Sequence, residues 1–99
     1  MSQAKWWIIC YDIHDPKRLR QCAKHMEGYG TRLQESVFRC WLSTTDVQRL
    51  RWELTSFLEP EDEVLLIPLC SHCLDGILGI HGNERPTDWT EEPPRFQTL

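Results

Sequence analysis

No stretch of the 99-residue chain is apolar for long enough to span a bilayer, which takes about 18–20 residues. The N-terminus carries one lysine before a short apolar run and has no small-residue cleavage motif, so a secretory signal is not expected either. There is no internal repeat. Basic residues are scarce in the second half: residues 52–99 hold two Lys/Arg against ten Asp/Glu, whereas residues 1–51 hold nine against five. The five cysteines (Cys10, Cys22, Cys40, Cys70, Cys73) are odd in number, and three sit in apolar patterns, which argues against a disulfide framework. These features predict a soluble, cytoplasmic domain with reduced thiols and no membrane partner. The charge split predicts one surface that meets an anion and another that repels it.

What is present is an alternation of strand and helix patterns. Residues 5–13, KWWIICYDI, form an apolar run rich in β-branched and aromatic residues and predict a central strand. Asp15 and Pro16 are a helix cap and first position, and Leu19, Cys22, Ala23 and Met26 make one apolar stripe. Gly28 and Gly30 are read as helix stops that offer left-handed backbone. Residues 31–43 alternate with period two, but the apolar face switches near Ser36–Phe38, predicting a kink or tight connection between two strands. Thr45 with Gln48 resembles a capping box. Val47, Leu50, Leu54, Phe57 and Leu58 give the second helix its buried stripe, with Arg49 and Glu53 paired outside.

Residues 64–69 predict another strand, whose Pro68 favours an edge or a strand end. Residues 76–82 read as a short last strand, and residues 83–99, with three prolines and no period, as a tail. The order predicts an α+β, ferredoxin-like βαββαβ sandwich over residues 1–82, with both helices on one face. The extra strand has no place in that sheet. Pairing with a second copy would cover it and the open edge, which predicts a homodimer. A chain this small buries only about 60–65% of its unfolded surface, which points the same way.

Asp12, at the end of the central strand, is the foremost candidate for chemistry. As a turn acid it would simply bond the following loop, but Asp15 already does the capping. A hard cation such as Mg²⁺ takes one or two carboxylates plus water and phosphate oxygens, and two Asp12 side chains across a twofold axis would supply them. Lys17, Arg18, Arg20 and Lys24 form a basic face on the first helix, and Arg32 and Arg39 add to the same half. Such a set suits phosphate-backbone contacts, although a solvated face has the same composition. His14, two residues from Asp12, reads as a proton shuttle or a solvated loop histidine. Cys70-Ser71-His72-Cys73 resembles half a zinc knuckle, but there is no second CxxC to complete four ligands on one chain. A redox role would want a helix beginning at Cys70, and none clearly does.

Taken together, YDI followed by DPKRLR, then EGYGTRLQESVF, CWL, LRWEL, PLC and IHG make an ordered set over residues 7–82. The set resembles family two of the CRISPR-associated proteins, the small companion of the CRISPR integrase in spacer acquisition. The resemblance implies a ferredoxin-like homodimer whose last strand pairs with the partner's sheet. It also implies a phosphodiesterase site in which Asp12 binds Mg²⁺ or Mn²⁺ between the two chains. Arg32 and Phe38 match residues implicated in the family's activity, Ser36 lies in the same motif, and Tyr11 matches the aromatic residue before the aspartate. Position 35 is Glu where an aromatic or neutral residue is common, and the helix basic residues carry over as a patch only.

The implied role is a dimer that bridges integrase dimers and supports duplex DNA; the charge split then predicts that the acidic C-terminal half and tail face the integrase. Metal-dependent endonuclease activity on RNA or DNA, with duplex DNA or single-stranded RNA as partner, is a compatible second role. The alternatives are a stand-alone toxin-like ribonuclease and a non-catalytic nucleic-acid-binding module of the same fold. A generic RNA binder of this fold would want aromatic residues on its central strands, a signature that SVFRCW lacks.

Overall fold

The structure, a computed structural model, describes residues 3–77. Strand β1 (Lys5–Asp12) is followed by helix α1 (Pro16–Glu27), strands β2 (Gly30–Gln34) and β3 (Val37–Leu42), helix α2 (Thr44–Thr55), strand β4 (Glu63–Pro68) and a short helix α3 (Ser71–Asp75). The strands form one antiparallel sheet in the order β2-β3-β1-β4. This is the ferredoxin-like arrangement expected from the sequence. The long apolar run of β1 occupies a central position, and β4 lies at an edge with Pro68 as its last residue, where a missing N–H costs least. No helix among the described residues is long and apolar enough to cross a membrane.

The core lies between the sheet and both long helices. Ile9, Tyr11 and Ile13 from β1 and its exit meet Phe38, Cys40 and Leu42 from β3, Cys22 and Met26 from α1, and Leu50 and Leu54 from α2. Each fully buried large apolar side chain contributes about 1.5–3 kcal/mol. Asp15 caps α1 as expected, its Oδ2 accepting from the Arg18 N–H at 2.9 Å. The expected break between β2 and β3 falls at the Glu35–Ser36 turn, with a register shift between Arg32 and Gln34.

Four local readings change. The capping box of α2 is Ser43 with Asp46, not Thr45 with Gln48: the Ser43 Oγ accepts from the Asp46 N–H at 3.1 Å, and Asp46 Oδ2 accepts from the Ser43 N–H at 3.0 Å. Arg49 and Glu53 do not simply pair with each other. They converge on the Tyr29 hydroxyl, which donates to Glu53 at 2.7 Å and accepts from Arg49 at 3.2 Å, while His25 Nε2 lies 2.8 Å from the same Glu53 oxygen. Gly28 caps α1 with right-handed backbone, φ −80° and ψ −9°. Gly30 is required for space, since a Cβ there would overlap the Arg39 carbonyl and lie 2.5 Å from the Cys40 sulfur. Finally, a helix does begin after Cys70. The predicted last strand falls almost wholly beyond residue 77, and with the tail it lies outside the described residues.

The second face of the sheet has no layer over it among the described residues. It presents Ile8 and Cys10 from β1, Val37 and Trp41 from β3, and Leu65 and Ile67 from β4, paired across the strands as Ile8–Ile67, Cys10–Leu65 and Cys10–Val37. Leu65 and Ile67 are 55% and 42% exposed. Trp6 lies on this face too, edge-on to Trp41 at 5.1 Å and beneath the Arg39 guanidinium at 4.5 Å.

Candidate functional site

Alternation along β1 decides where its acid points. Ile9, Tyr11 and Ile13 face the helices, so Asp12 faces the opposite side of the sheet at the strand's end. Its side chain is 69% exposed. His14, from the loop that follows, places Nε2 3.0 Å from Asp12 Oδ1. The Tyr11 N–H donates to the Ser36 carbonyl at 3.1 Å, which holds the β2–β3 turn, with Ser36 and the exposed Glu35, beside the strand end.

Across β1 and β4, Asp12 stands opposite Glu63, a carboxylate that the sequence reading passed over. Only the antiparallel register of strands far apart in sequence reveals it. Among the described residues no three His, Cys, Asp or Glu side chains group closely enough to hold a metal. The oxygen donors at this corner suit a hard divalent cation, yet one chain offers too few, so a metal would draw on a second copy.

Arg32 and Phe38 belong to a different group. The Arg32 guanidinium lies 5.4 Å above the Phe38 ring, and that ring stacks on Tyr11 with centroids 6.3 Å apart. Phe38 is fully buried and Tyr11 nearly so. Burial pushes the Tyr11 phenol above its ordinary value, against a smaller opposing pull from Arg32. Phe38 therefore offers no surface to a substrate and acts by supporting its neighbours. Thus the Ser36 turn is tied to Tyr11, the residue before Asp12, while Arg32 and Phe38 lie with the helix-side face.

The basic residues divide as well. Lys17, Arg20 and Lys24 are exposed on α1, and Arg32 is exposed on the edge strand β2. Arg18 is engaged inside the molecule. Its Nε donates to Asp62 Oδ2 at 2.7 Å and its Nη2 to Asp62 Oδ1 at 3.2 Å and Glu61 Oε2 at 3.1 Å. The Asp62 side chain is 1% exposed and also accepts from the Glu59 N–H. Arg18 is the largest cause that holds the Asp62 carboxyl below the usual range. Arg39 lies over Trp6 on the sheet face opposite the helices, remote from the α1 set.

The family model described as CRISPR associated protein Cas2 matches residues 5–77. The chain is 34% identical over 89 residues to "CRISPR-associated endoribonuclease Cas2 1" of Chloroflexus aurantiacus, covering 88% of this chain and 95% of that protein. It is 32% identical over 75 residues to "CRISPR-associated endoribonuclease Cas2 2" of Thermodesulfovibrio yellowstonii, covering 75% and 82%. The crystal structure of Streptococcus pyogenes Cas2 at pH 6.5 superposes with a TM-score of 0.68 at 26% identity, over 76% of this chain and 98% of that one.

Proposed function

The chain belongs to the Cas2 family of CRISPR-associated proteins, and from that premise we propose that it acts as a homodimer in spacer acquisition, bridging integrase dimers and supporting duplex DNA. Metal-dependent phosphodiester hydrolysis at Asp12 is its second activity; the names of the relatives, endoribonuclease and endonuclease, support the nuclease part of that reading. The observation that carries the proposal is the apolar face of the sheet over which no described element packs, with Asp12 at its end. A second copy laid on that face buries Leu65 and Ile67 and brings a second Asp12 to the first.

The exposed Lys17, Arg20 and Lys24 neutralise backbone phosphates, which gives affinity without sequence readout and makes binding fall with salt. His14 bonds one oxygen of Asp12 and fixes the carboxylate's orientation, leaving the other oxygen open. Asp12 from each copy would hold Mg²⁺ or Mn²⁺, whose chemistry there would be to activate a water and to neutralise charge on the phosphate. The Arg18–Asp62 clamp anchors the start of α1 to the loop before β4, and so sets the basic face relative to the Asp12 corner.

The test uses purified protein, duplex DNA and single-stranded RNA with Mg²⁺ or Mn²⁺, beside Asp12→Asn. Cleavage by the wild type that disappears in the variant, with binding kept, supports hydrolysis. Binding without cleavage by either leaves the bridging role alone. Failure to bind duplex, or a monomer in sedimentation, overturns the proposal.

A further inference from the structure

Cys70-Ser71-His72-Cys73 has no part in the function above, and here the structure adds what the sequence did not offer. The chain leaves edge strand β4 at Pro68, and Cys70 takes the N-cap position of α3 with extended backbone, φ −92° and ψ 170°. An extended N-cap residue turns its side chain toward the residue three positions on; Ser43 in α2 goes further and bonds the Asp46 N–H, whereas the Cys70 side chain makes no such cap bond. At α3 that residue is Cys73. The two sulfurs lie 3.4 Å apart, one thiol donating to the other. Both residues are exposed. Closing from that contact to a disulfide requires about 1.4 Å of movement between sulfurs on a solvent-facing turn.

The surroundings select among the uses of such a pair. A structural zinc site needs four ligands, and no group of three metal-ligating side chains exists among the described residues. Dithiol chemistry needs only the two sulfurs. We propose that Cys70 and Cys73 form a modification site, at which a low-molecular-weight disulfide such as oxidised glutathione converts the dithiol to an intramolecular disulfide.

The Cys70 thiolate attacks one sulfur of the oxidant. The oxidant's S–S bond breaks, a mixed disulfide forms at Cys70, and the first thiolate leaves and takes a proton. Cys73, as thiolate, then attacks the Cys70 sulfur and expels the second small thiol. Two protein thiols lose two electrons and two protons, and the oxidant becomes two thiols. The neighbouring Cys73 backbone and thiol hold the Cys70 thiol below its ordinary value, which favours Cys70 as the attacking group. Selectivity follows from burial. Cys22 and Cys40 are fully buried, their thiols pushed up to about 11 and about 12, and Cys10 is half-buried on the sheet face. The bridge fixes the turn through which β4 leads into residues 78–99.

The full chain, native and reduced, is equilibrated across a series of reduced-to-oxidised glutathione ratios, quenched in acid, alkylated and digested. The expected result is loss of two hydrogens from the peptide carrying Cys70 and Cys73, while Cys22 and Cys40 remain reduced. In Cys73→Ser, which cannot complete the second step, a glutathione adduct accumulates on Cys70. Three results would each overturn the proposal: both thiols staying alkylatable throughout the series, cross-links between chains in place of the internal bridge, or stoichiometric Zn²⁺ that shields both sulfurs.

Discussion

Arg18 and Arg20 sit two positions apart on α1 with equal formal charge, yet their surroundings give them different work. The Arg18 guanidinium is bound by Asp62 and Glu61, whereas Arg20 faces solvent. Arg18→Ala leaves the nearly inaccessible Asp62 carboxylate without its guanidinium, so its melting temperature should fall clearly below wild type. Arg20→Ala should melt like wild type and bind duplex more weakly across unrelated sequences, with a shallower salt dependence, read by fluorescence anisotropy at two ionic strengths. The same carboxylate sets an acid dependence. The Asp62 carboxyl is depressed from 3.8 in the fold, so its stabilisation is present above that pH. It is lost as pH falls from there through the lower folded value. Asp62→Asn should flatten that part of an acid denaturation curve. The sequence shows Asp15 as a cap because its partner is three residues away. It cannot show Asp62, because no local period links positions separated by 44 residues.

Elements were legible wherever a period ran for two turns or more. The apolar stripe of α1 and the unbroken apolar run of β1 each identify their element and its buried face. Capping was harder to place in Ser43-Thr44-Thr45, where three consecutive hydroxyl residues compete and the structure selects the first. Ser43→Ala should cost about 1 kcal/mol in chemical denaturation, while Thr45→Ala should be close to neutral. Helix α3 escaped notice because five residues cannot display a helical period. Gly30 was read for backbone freedom and serves instead as a gap beside Arg39 and Cys40. Gly30→Ala should therefore destabilise by about 1–3 kcal/mol, the usual effect of forcing extra volume into a packed site. A denaturant midpoint comparison checks all three variants.

For the whole molecule, the sheet architecture followed from the order of strands and helices, with the apolar run of β1 placing that strand centrally and Pro68 placing β4 at an edge. What the sequence left hidden was the grouping at the corner, since Asp12 meets Glu63 and the Ser36 turn only after the sheet assembles. If the uncovered face joins two copies, Leu65→Lys with Ile67→Lys should give monomer in sedimentation velocity and a retained far-ultraviolet spectrum, because both side chains point away from the core. The sheet order also has a consequence during synthesis. β1 is central, and both of its neighbours are made after it: β3 follows a helix and a strand, and β4 lies roughly fifty residues downstream. At about 5–20 residues per second, the ribosome finishes β4 some 3–10 seconds after β1. For that interval the greasiest strand of the protein has an unpaired edge, and a nascent chain paused before residue 63 is the form that a holding chaperone would find most to grip.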